Sequence, residues 1–303
     1  MALCGGVSIL LSIDTCGALG GVALGWVVDL ESRDGDSLGS AHLSQNQDVG
    51  CPGLLDTWAV PNLDIGGLAG ETQVSFANLG HPELSKSDTT DEKLGLFYRE
   101  LTGRTFSEQL LASVSDLLGE AGVGLGELAG IVVVAGPGSF TGIRIGISAA
   151  KGLAEGLGLP VIAVSRLELL ARKAASGDAV AVLDAGRGEF FVGVYRPGTY
   201  ALEVLATRDG LRDLVADSGS ARLPLLVCEK RVFSALTDLG AELVAAPTAV
   251  DGWMVGAERL RASQFNDVAL LDANYLRRSE TEMLARIAEH VALKAAGRDS
   301  LRG

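Results

Sequence analysis

One stretch of the chain, residues 130–146, constrains the fold more than any other. Residues 131–135 form an unbroken apolar run rich in β-branched side chains, and residues 136–142 follow it with the sequence GPGSFTG. Such a run is typical of a strand that is buried on both faces. Apolar residues with helical spacing come next, so the pattern predicts a buried strand, a tight glycine turn and a helix.

The glycine turn does not match the standard phosphate-binding motifs. A P-loop ends in Gly-Lys-Ser/Thr, whereas the nearest lysine, Lys151, lies more than two helical turns beyond Gly142. The dinucleotide fingerprint also needs a different glycine spacing from that of Gly138 and Gly142. Two interpretations stay open: an anion or nucleotide site at a helix start, or tight packing of that helix with Ser139 and Thr141 as caps. The candidate residues for the first interpretation are Asp14, Gly136, Gly138, Ser139, Thr141 and Arg144.

A second pattern occurs once in each half of the chain. Asp14 and Asp184 each follow an apolar run, and in both places apolar sequence resumes eight residues after the aspartate. The repetition predicts two strand–turn–strand units, and therefore two related α/β lobes. Each aspartate either takes part in chemistry or closes an Asx-turn after its strand. Arg144, near the start of the second helix, either reaches an anion or forms an ion pair.

The glycine-rich segment, residues 130–146, resembles the signature of the TsaB (YeaZ) family, and five further matches follow in register. These are residues 9–15, 103–111, 151–154 with 158–161, 183–189 and 275–278. That family is the non-catalytic subunit of the bacterial machinery that makes threonylcarbamoyladenosine in tRNA. The resemblance covers most of the chain except about residues 31–95, which read as an irregular insertion in which Leu54, Leu55, Trp58 and Val60 form one candidate docking segment.

The resemblance implies an α/β fold with two related lobes of the actin-like or sugar-kinase-like (ASKHA, ribonuclease H-like) type. On this basis the first lobe covers residues 1–175, with the insertion at 31–95, and the second covers residues 176–303. In such a fold Asp14 and Asp184 face the cleft between the lobes, where they can hold a metal–nucleotide.

The resemblance also implies a scaffold that does not itself transfer the threonylcarbamoyl group. Its expected partners are the catalytic transferase subunit (TsaD-like), an ATPase subunit (TsaE-like) and a second copy in a homodimer. No cofactor of its own is expected, although ATP or ADP could be present in the complex. Two alternatives remain: a metallopeptidase-like or kinase-like enzyme of the same fold, and a stand-alone small-molecule binding protein.

An apolar stripe along the predicted helix after residue 106 suggests a subunit interface. Small residues on the next helix would allow another helix to approach closely. The predicted interface comprises Ser107, Glu108, Leu111, Val114, Leu118, Gly146 and Ala150. Two positions depart from the family pattern, because Phe106 stands where a histidine usually precedes Ser-Glu and Ala112 stands where a proline is common.

Composition limits the remaining function classes. A formal net charge of −13 argues against an autonomous nucleic-acid binder, so tRNA is expected to be held through partners. The four cysteines have neither metal nor disulfide spacing, and the three histidines form no His-x-x-x-His pair, so no metal site is predicted. No Lys or Arg precedes Arg33, and Asp14 with its neighbouring glycines interrupts the apolar N-terminus, so we expect a cytoplasmic protein without a membrane span.

Overall fold

Two β-sheets organise the chain, and five strands of the first are arranged in the same order as the five strands of the second. The computed structural model describes residues 7–28, 72–74, 95–102, 105–175, 178–196, 201–216, 223–274 and 276. The strands of the first sheet are β1 (Val7–Asp14), β2 (Leu19–Val28), β3 (Thr72–Val74), β4 (Leu96–Thr102), β5 (Leu128–Val134) and β6 (Val161–Val164), in the order β3-β4-β2-β1-β5-β6. Strands β1 and β2 form an antiparallel hairpin, whereas β5 and β6 run parallel to β1.

The second sheet repeats this arrangement. Its strands are β7 (Ala179–Gly186), β8 (Glu189–Tyr195), β9 (Leu202–Thr207), β10 (Leu225–Val227) and β11 (Ala241–Leu243), in the order β11-β10-β7-β8-β9. It too begins with an antiparallel hairpin, and β10 and β11 run parallel to its first strand. The duplicated two-lobe α/β architecture predicted from the repeated aspartate pattern is therefore confirmed.

Six α-helices lie among the described residues. They are α1 (Phe106–Ala121), α2 (Phe140–Leu157), α3 (Arg166–Ala171), α4 (Arg208–Ala216), α5 (Lys230–Leu236) and α6 (Ala249–Arg261). Helices on the faces of the first sheet explain why β5 is wholly apolar and why most residues of β1 are apolar, since both strands are largely buried on both sides. None of these helices is long and apolar enough to cross a membrane.

Helix α6 lies on the first sheet although it follows the second sheet in the sequence. The indole Nε1 of Trp253 donates a hydrogen bond of 3.0 Å to the carbonyl of Leu10 in β1. A Cβ on Gly256 would lie only 2.1 Å from Val132 in β5, so the helix backbone approaches the sheet directly. The predicted division after residue 175 thus separates the two sheets, whereas the last helix of the described chain packs against the first lobe.

The predicted insertion at 31–95 contains one element that we did not expect. Strand β3 pairs antiparallel with β4 and adds an edge strand to the first sheet, so the interpretation of this region as wholly irregular was wrong for Thr72–Val74. Strand β4 begins at Leu96, directly after the predicted end of the insertion. The candidate docking segment around Leu54, Leu55, Trp58 and Val60 lies outside the described residues.

Candidate functional site

The turn after β1 and the glycine turn after β5 interlock. The backbone N–H of Ser139 donates to the carbonyl of Cys16 at 2.8 Å, and the Thr15 hydroxyl donates to the carbonyl of Gly142 at 2.7 Å. A Cβ on Gly138 would lie 2.3 Å from the Cys16 oxygen, and one on Gly142 would lie 2.0 Å from the Thr15 oxygen. These distances are too short for any side chain, so the two glycines are required by the close approach of the turn that follows Asp14.

The N–H groups of Ser139 and Gly142, at the start of α2, both donate to oxygens of the chain itself. The Ser139 hydroxyl accepts a hydrogen bond of 3.3 Å from the Gly142 N–H, which makes Ser139 the N-cap of the helix. As arranged, the N–H groups of Ser139 and Gly142 do not fit a phosphate ligand, because protein oxygens already accept from both. Thr141 is not a cap but an exposed residue of the first helical turn. The nucleotide or anion site predicted at Asp14, Gly136, Gly138, Ser139, Thr141 and Arg144 stays a prediction.

Asp14 closes the first of two matching Asx-turns. Its carboxylate accepts from the Cys16 N–H at 2.8 Å, and in the second lobe the carboxylate of Asp184 accepts from the Gly186 N–H at the same distance. Asp14 is only 2% exposed, and this burial raises the pKa of its carboxyl despite the opposing effect of Arg166. Both aspartates thus have a turn-closing role, and any role in a cleft stays a prediction.

Arg166 is a buried charge that the sequence analysis missed. It is the first residue of α3 and only 7% exposed, and its Nε has no hydrogen-bond partner. Burial is the largest single influence and lowers the pKa of its guanidinium, but the combined effect of Asp14, Cys228, Cys16 and Glu229 outweighs burial, and the pKa is raised. In the sequence, the burial of Arg166 could have been inferred from its position between two apolar segments, immediately after the helix cap Ser165. Since the charge of Asp14 lies in the first lobe and that of Glu229 in the second, Arg166 acts electrostatically on both lobes.

An open groove of about 560 Å³ lies between α1 and α2. Two large apolar side chains at this groove are exposed to solvent, Leu111 by 58% and Phe140 by 45%. The guanidinium carbon of Arg144 lies 3.6 Å from the centroid of the Phe140 ring. The lining comprises Ser107, Leu110, Leu111, Phe140, Thr141, Arg144, Ile145, Ser148 and Ala149. The groove therefore brings together residues from both parts of the predicted site.

Four of the predicted interface residues are instead buried inside the chain. Val114 and Leu118 are 3% and 5% exposed, and Gly146 and Ala150 are also buried. Their surfaces are already covered by the first sheet and the neighbouring helix, so they are not available to a second subunit in this structure. Of the predicted interface residues, Ser107, Glu108 and Leu111 are exposed and could contact a second subunit. Their binding to a partner stays a prediction.

Phe106 has a packing role at the position where the resembled family has a histidine. Its side chain is 2% exposed, and its ring lies 2.8 Å from the position that a Cβ on Gly20 would occupy. The aromatic ring fills the space between β2 and the start of α2, since it also approaches Gly142. The apolar side chain of Phe106 is therefore suited to this buried position. Ala112 is exposed on α1, and nothing in the structure explains why it replaces proline.

No group of three or more potential metal ligands occurs within the described ranges. The three histidines of the chain, His42, His81 and His290, all lie outside those ranges.

Comparison with known proteins shows that the chain is similar to proteins named for tRNA modification. Residues 83–209 match the family profile of TsaD, tRNA N6-adenosine threonylcarbamoyltransferase. The tRNA threonylcarbamoyladenosine biosynthesis protein TsaB of Haemophilus influenzae is 36% identical over 117 residues, which cover 34% of this chain and 50% of the relative. TsaB of Escherichia coli is 40% identical over 101 residues, covering 32% of this chain and 44% of the relative.

The fold has a solved counterpart in Pseudomonas aeruginosa. That structure, described as a protein with similarity to peptidase YeaZ, has a TM-score of 0.56 and 21% sequence identity, and the match covers 89% of this chain and 100% of the other. This likeness confirms the predicted two-lobed fold class. The sequence matches are shorter than the structural match. In them, this chain spans about half the length of the curated relatives.

Proposed function

We propose that this chain, which is similar to TsaB proteins over about a third of its length, is a member of the TsaB/YeaZ family and acts in the biosynthesis of threonylcarbamoyladenosine in tRNA as a non-catalytic subunit. In this role the groove between α1 and α2 binds the catalytic transferase subunit. An ATPase subunit completes the assembly, the location is the cytoplasm, and tRNA is held through the partners. The chain needs no cofactor of its own, and any ATP or ADP belongs to the complex.

The observation that carries this proposal is the exposed apolar groove. Leu111 and Phe140 belong to helices that are anchored in the core by buried residues such as Leu110 and Ile143, each 1% exposed. A rigid pair of helices that presents large apolar side chains to solvent is typical of a protein–protein interface. The catalytic subunit is the proposed occupant because the TsaD profile matches residues 83–209, which include both helices. Related helix pairs of similar shape can pack together as a bundle.

The interlocked turns favour binding over catalysis. In the region where a nucleotide-using enzyme would hold phosphate, the Ser139 N–H bonds to Cys16 and the Asp14 carboxylate bonds to the Cys16 N–H. These groups stabilise the first lobe instead of pointing toward a substrate. A kinase-like activity would require them to be released.

Substitution of Leu111 tests the groove directly. Leu111→Glu places a charge in the proposed contact, where binding would desolvate it without a partner, and we expect association with the transferase subunit to weaken by ~2 kcal/mol or more. The variant should keep its fold, because Leu111 is exposed in the free chain. Isothermal titration calorimetry measures the loss, and circular dichroism checks the fold.

Two matched variants make that result specific. Leu125→Glu changes another exposed leucine, 41% accessible and outside the groove, and should bind normally. Val114→Glu, on the same helix but 3% exposed, should unfold the chain rather than produce a folded, non-binding monomer. Normal binding by Leu111→Glu would mean that the groove is not the docking surface, and loss of a homodimer alone would identify a second copy as its occupant.

Reconstitution tests the proposed division of labour. The purified chain alone should neither hydrolyse ATP nor modify tRNA, whereas the mixture with the transferase subunit, the ATPase subunit, threonylcarbamoyl-adenylate and tRNA should form the modified nucleoside, detected by mass spectrometry. Omission of this chain should abolish or strongly reduce the product. Robust turnover by the isolated chain would favour the enzymatic alternative and contradict the proposal.

A further inference from the structure

The segment that follows α6, residues 264–274, crosses from the first lobe to the second and is called the strap here. Near its start, the side-chain oxygen of Asn266 accepts a hydrogen bond of 2.7 Å from the N–H of Ala163 in β6. Further along, the ammonium group of Lys151 on α2 donates to two strap carbonyls, at 3.3 and 3.1 Å. These contacts attach the strap to the first lobe.

At its end the strap reaches the second lobe through Asn274. The backbone N–H of Asn274 donates to the carbonyl of Ala135, immediately before the glycine turn, at 2.8 Å. Its side-chain nitrogen donates to Oε2 of Glu203 in β9 at 2.6 Å. Leu276, two residues on, packs against the apolar cluster that α3 forms with the second sheet. Asn274 therefore bonds to the first lobe by its backbone and to the second lobe by its side chain.

A second donor holds the carboxylate of Glu203 in place. The hydroxyl of Tyr195 in β8 donates to Oε1 of Glu203, so each carboxylate oxygen has its own partner. Burial raises the pKa of the Tyr195 hydroxyl and the charge of Glu203 raises it further, so this hydroxyl stays protonated and remains a donor. Glu203 thus presents Oε2 to Asn274 in a fixed orientation, and hydrogen bonds to a carboxylate are among the stronger ones in proteins.

Helix α3 also joins the two lobes, but it does so by apolar packing. Leu167 and Leu170 of α3 lie in one cluster with Ala179 and Leu183 of β7. Because the hydrophobic effect is non-directional, such a contact allows one body to slide or rotate slightly on the other. The hydrogen bonds of Asn274 instead require particular distances and angles. Packing on α3 and bonding by the strap therefore restrict the lobes in different ways.

We propose that the strap locks the angle between the two lobes, with Asn274 as the latch that joins the glycine turn of the first lobe to Glu203 of the second. With the latch closed, the chain has one dominant lobe angle. Without it, the lobes rotate about their contact at α3. This inference does not depend on the groove between α1 and α2 or on the partner proposed for it.

Interlobe distances in the full-length chain test the latch. Spin labels carried by a non-canonical amino acid at the exposed positions Ala112 and Ala235 report on α1 and α5, and double electron–electron resonance gives the distribution of distances between them. The wild-type chain should give one narrow distribution. Asn274→Asp should add an open population at least ~10-fold larger than in the wild type, because a hydrogen bond to a charged group is lost and two carboxylates repel each other.

Two further variants make that result specific. Asn274→Asp combined with Glu203→Gln exchanges the donor and the acceptor, since the glutamine amide can donate to the new carboxylate, and should restore the narrow distribution. Asn266→Ala removes the side chain of the other asparagine of the strap, whose hydrogen bond ends within the first lobe. It should leave the interlobe distances unchanged.

The outcomes that contradict the latch are distinct. A narrow distribution in Asn274→Asp would overturn the proposal, and so would a broad distribution in the wild-type chain. Failure of the double variant to recover the wild-type distribution would contradict the pairing of Asn274 with Glu203 as the cause. Equal broadening by Asn266→Ala would overturn the assignment of the latch to Asn274, because that variant leaves the bond between the lobes in place.

Discussion

Gly142→Ala is expected to destabilise the protein by about 3 kcal/mol or more, although alanine is the better helix former and Gly142 lies in α2. The new Cβ would lie 2.0 Å from the carbonyl oxygen of Thr15. That oxygen belongs to the backbone of the turn after β1, which cannot move like a flexible side chain. Relief of the clash would require the two interlocked turns to separate, with loss of the hydrogen bond from the Thr15 hydroxyl to the Gly142 carbonyl.

Gly152, in the same helix, provides a control at which substitution by alanine is expected to stabilise the protein. A Cβ on Gly152 would meet no atom within 4 Å, so Gly152→Ala should stabilise the protein by about 1 kcal/mol through helix propensity alone. Urea unfolding followed by circular dichroism measures both variants. Equal effects of the two substitutions would show that the turns do not interlock as described.

Arg166→Met should cost about 3–5 kcal/mol at pH 8, because it removes the cation that opposes the burial of the Asp14 carboxylate. Methionine keeps much of the apolar part of the arginine side chain, so the loss of stability comes mainly from removal of the charge. Arg172→Met is the surface control: its ion pair with Glu258 spans 2.8 Å between half-exposed side chains and should be worth less than about 1 kcal/mol. Thermal and urea unfolding give the difference.

The loss caused by Arg166→Met should depend on pH. The pKa of Asp14 is already raised in the folded state by burial, and without Arg166 it should rise further. A carboxyl with a raised folded pKa stabilises the fold fully below its unfolded pKa and loses that contribution as the pH rises through the folded pKa. The variant should therefore be less impaired at pH 5 than at pH 8, where Asp14 must ionise. The double variant with Asp14→Asn should lose this pH dependence, and its persistence would exclude Asp14 as the titrating group.

Local patterns in the sequence predicted the framework of the fold. The apolar run at residues 131–135 corresponds to β5, and the aspartates at the ends of β1 and β7 mark the two hairpins. These predictions succeeded because they depend on the alternation of apolar and turn-forming residues over a few positions. The Asx-turns at Asp14 and Asp184 were likewise among the alternatives that the sequence presented.

The candidate site could be predicted only in part. Periodicity placed Leu110, Leu111 and Val114 on one broad stripe of α1, but only Leu111 is exposed in the structure. A helical pattern states which residues share a face, and it does not state which neighbour covers that face. The same ambiguity explains why Val114 and Ala150 were assigned to a subunit interface although the chain buries them itself.

By itself the sequence determined the duplicated α/β framework, because strands, turns and helix starts are encoded by residues close together in the chain. Only the tertiary structure decided the contacts between distant segments. It placed α6 on the first sheet through Trp253 and Leu10, whose hydrogen bond joins residues 243 positions apart. It also buried Arg166 within the electrostatic reach of Asp14, and it brought Phe140 and Arg144 beside Leu111. Such contacts depend on how whole elements pack against one another, and no short-range pattern records that packing.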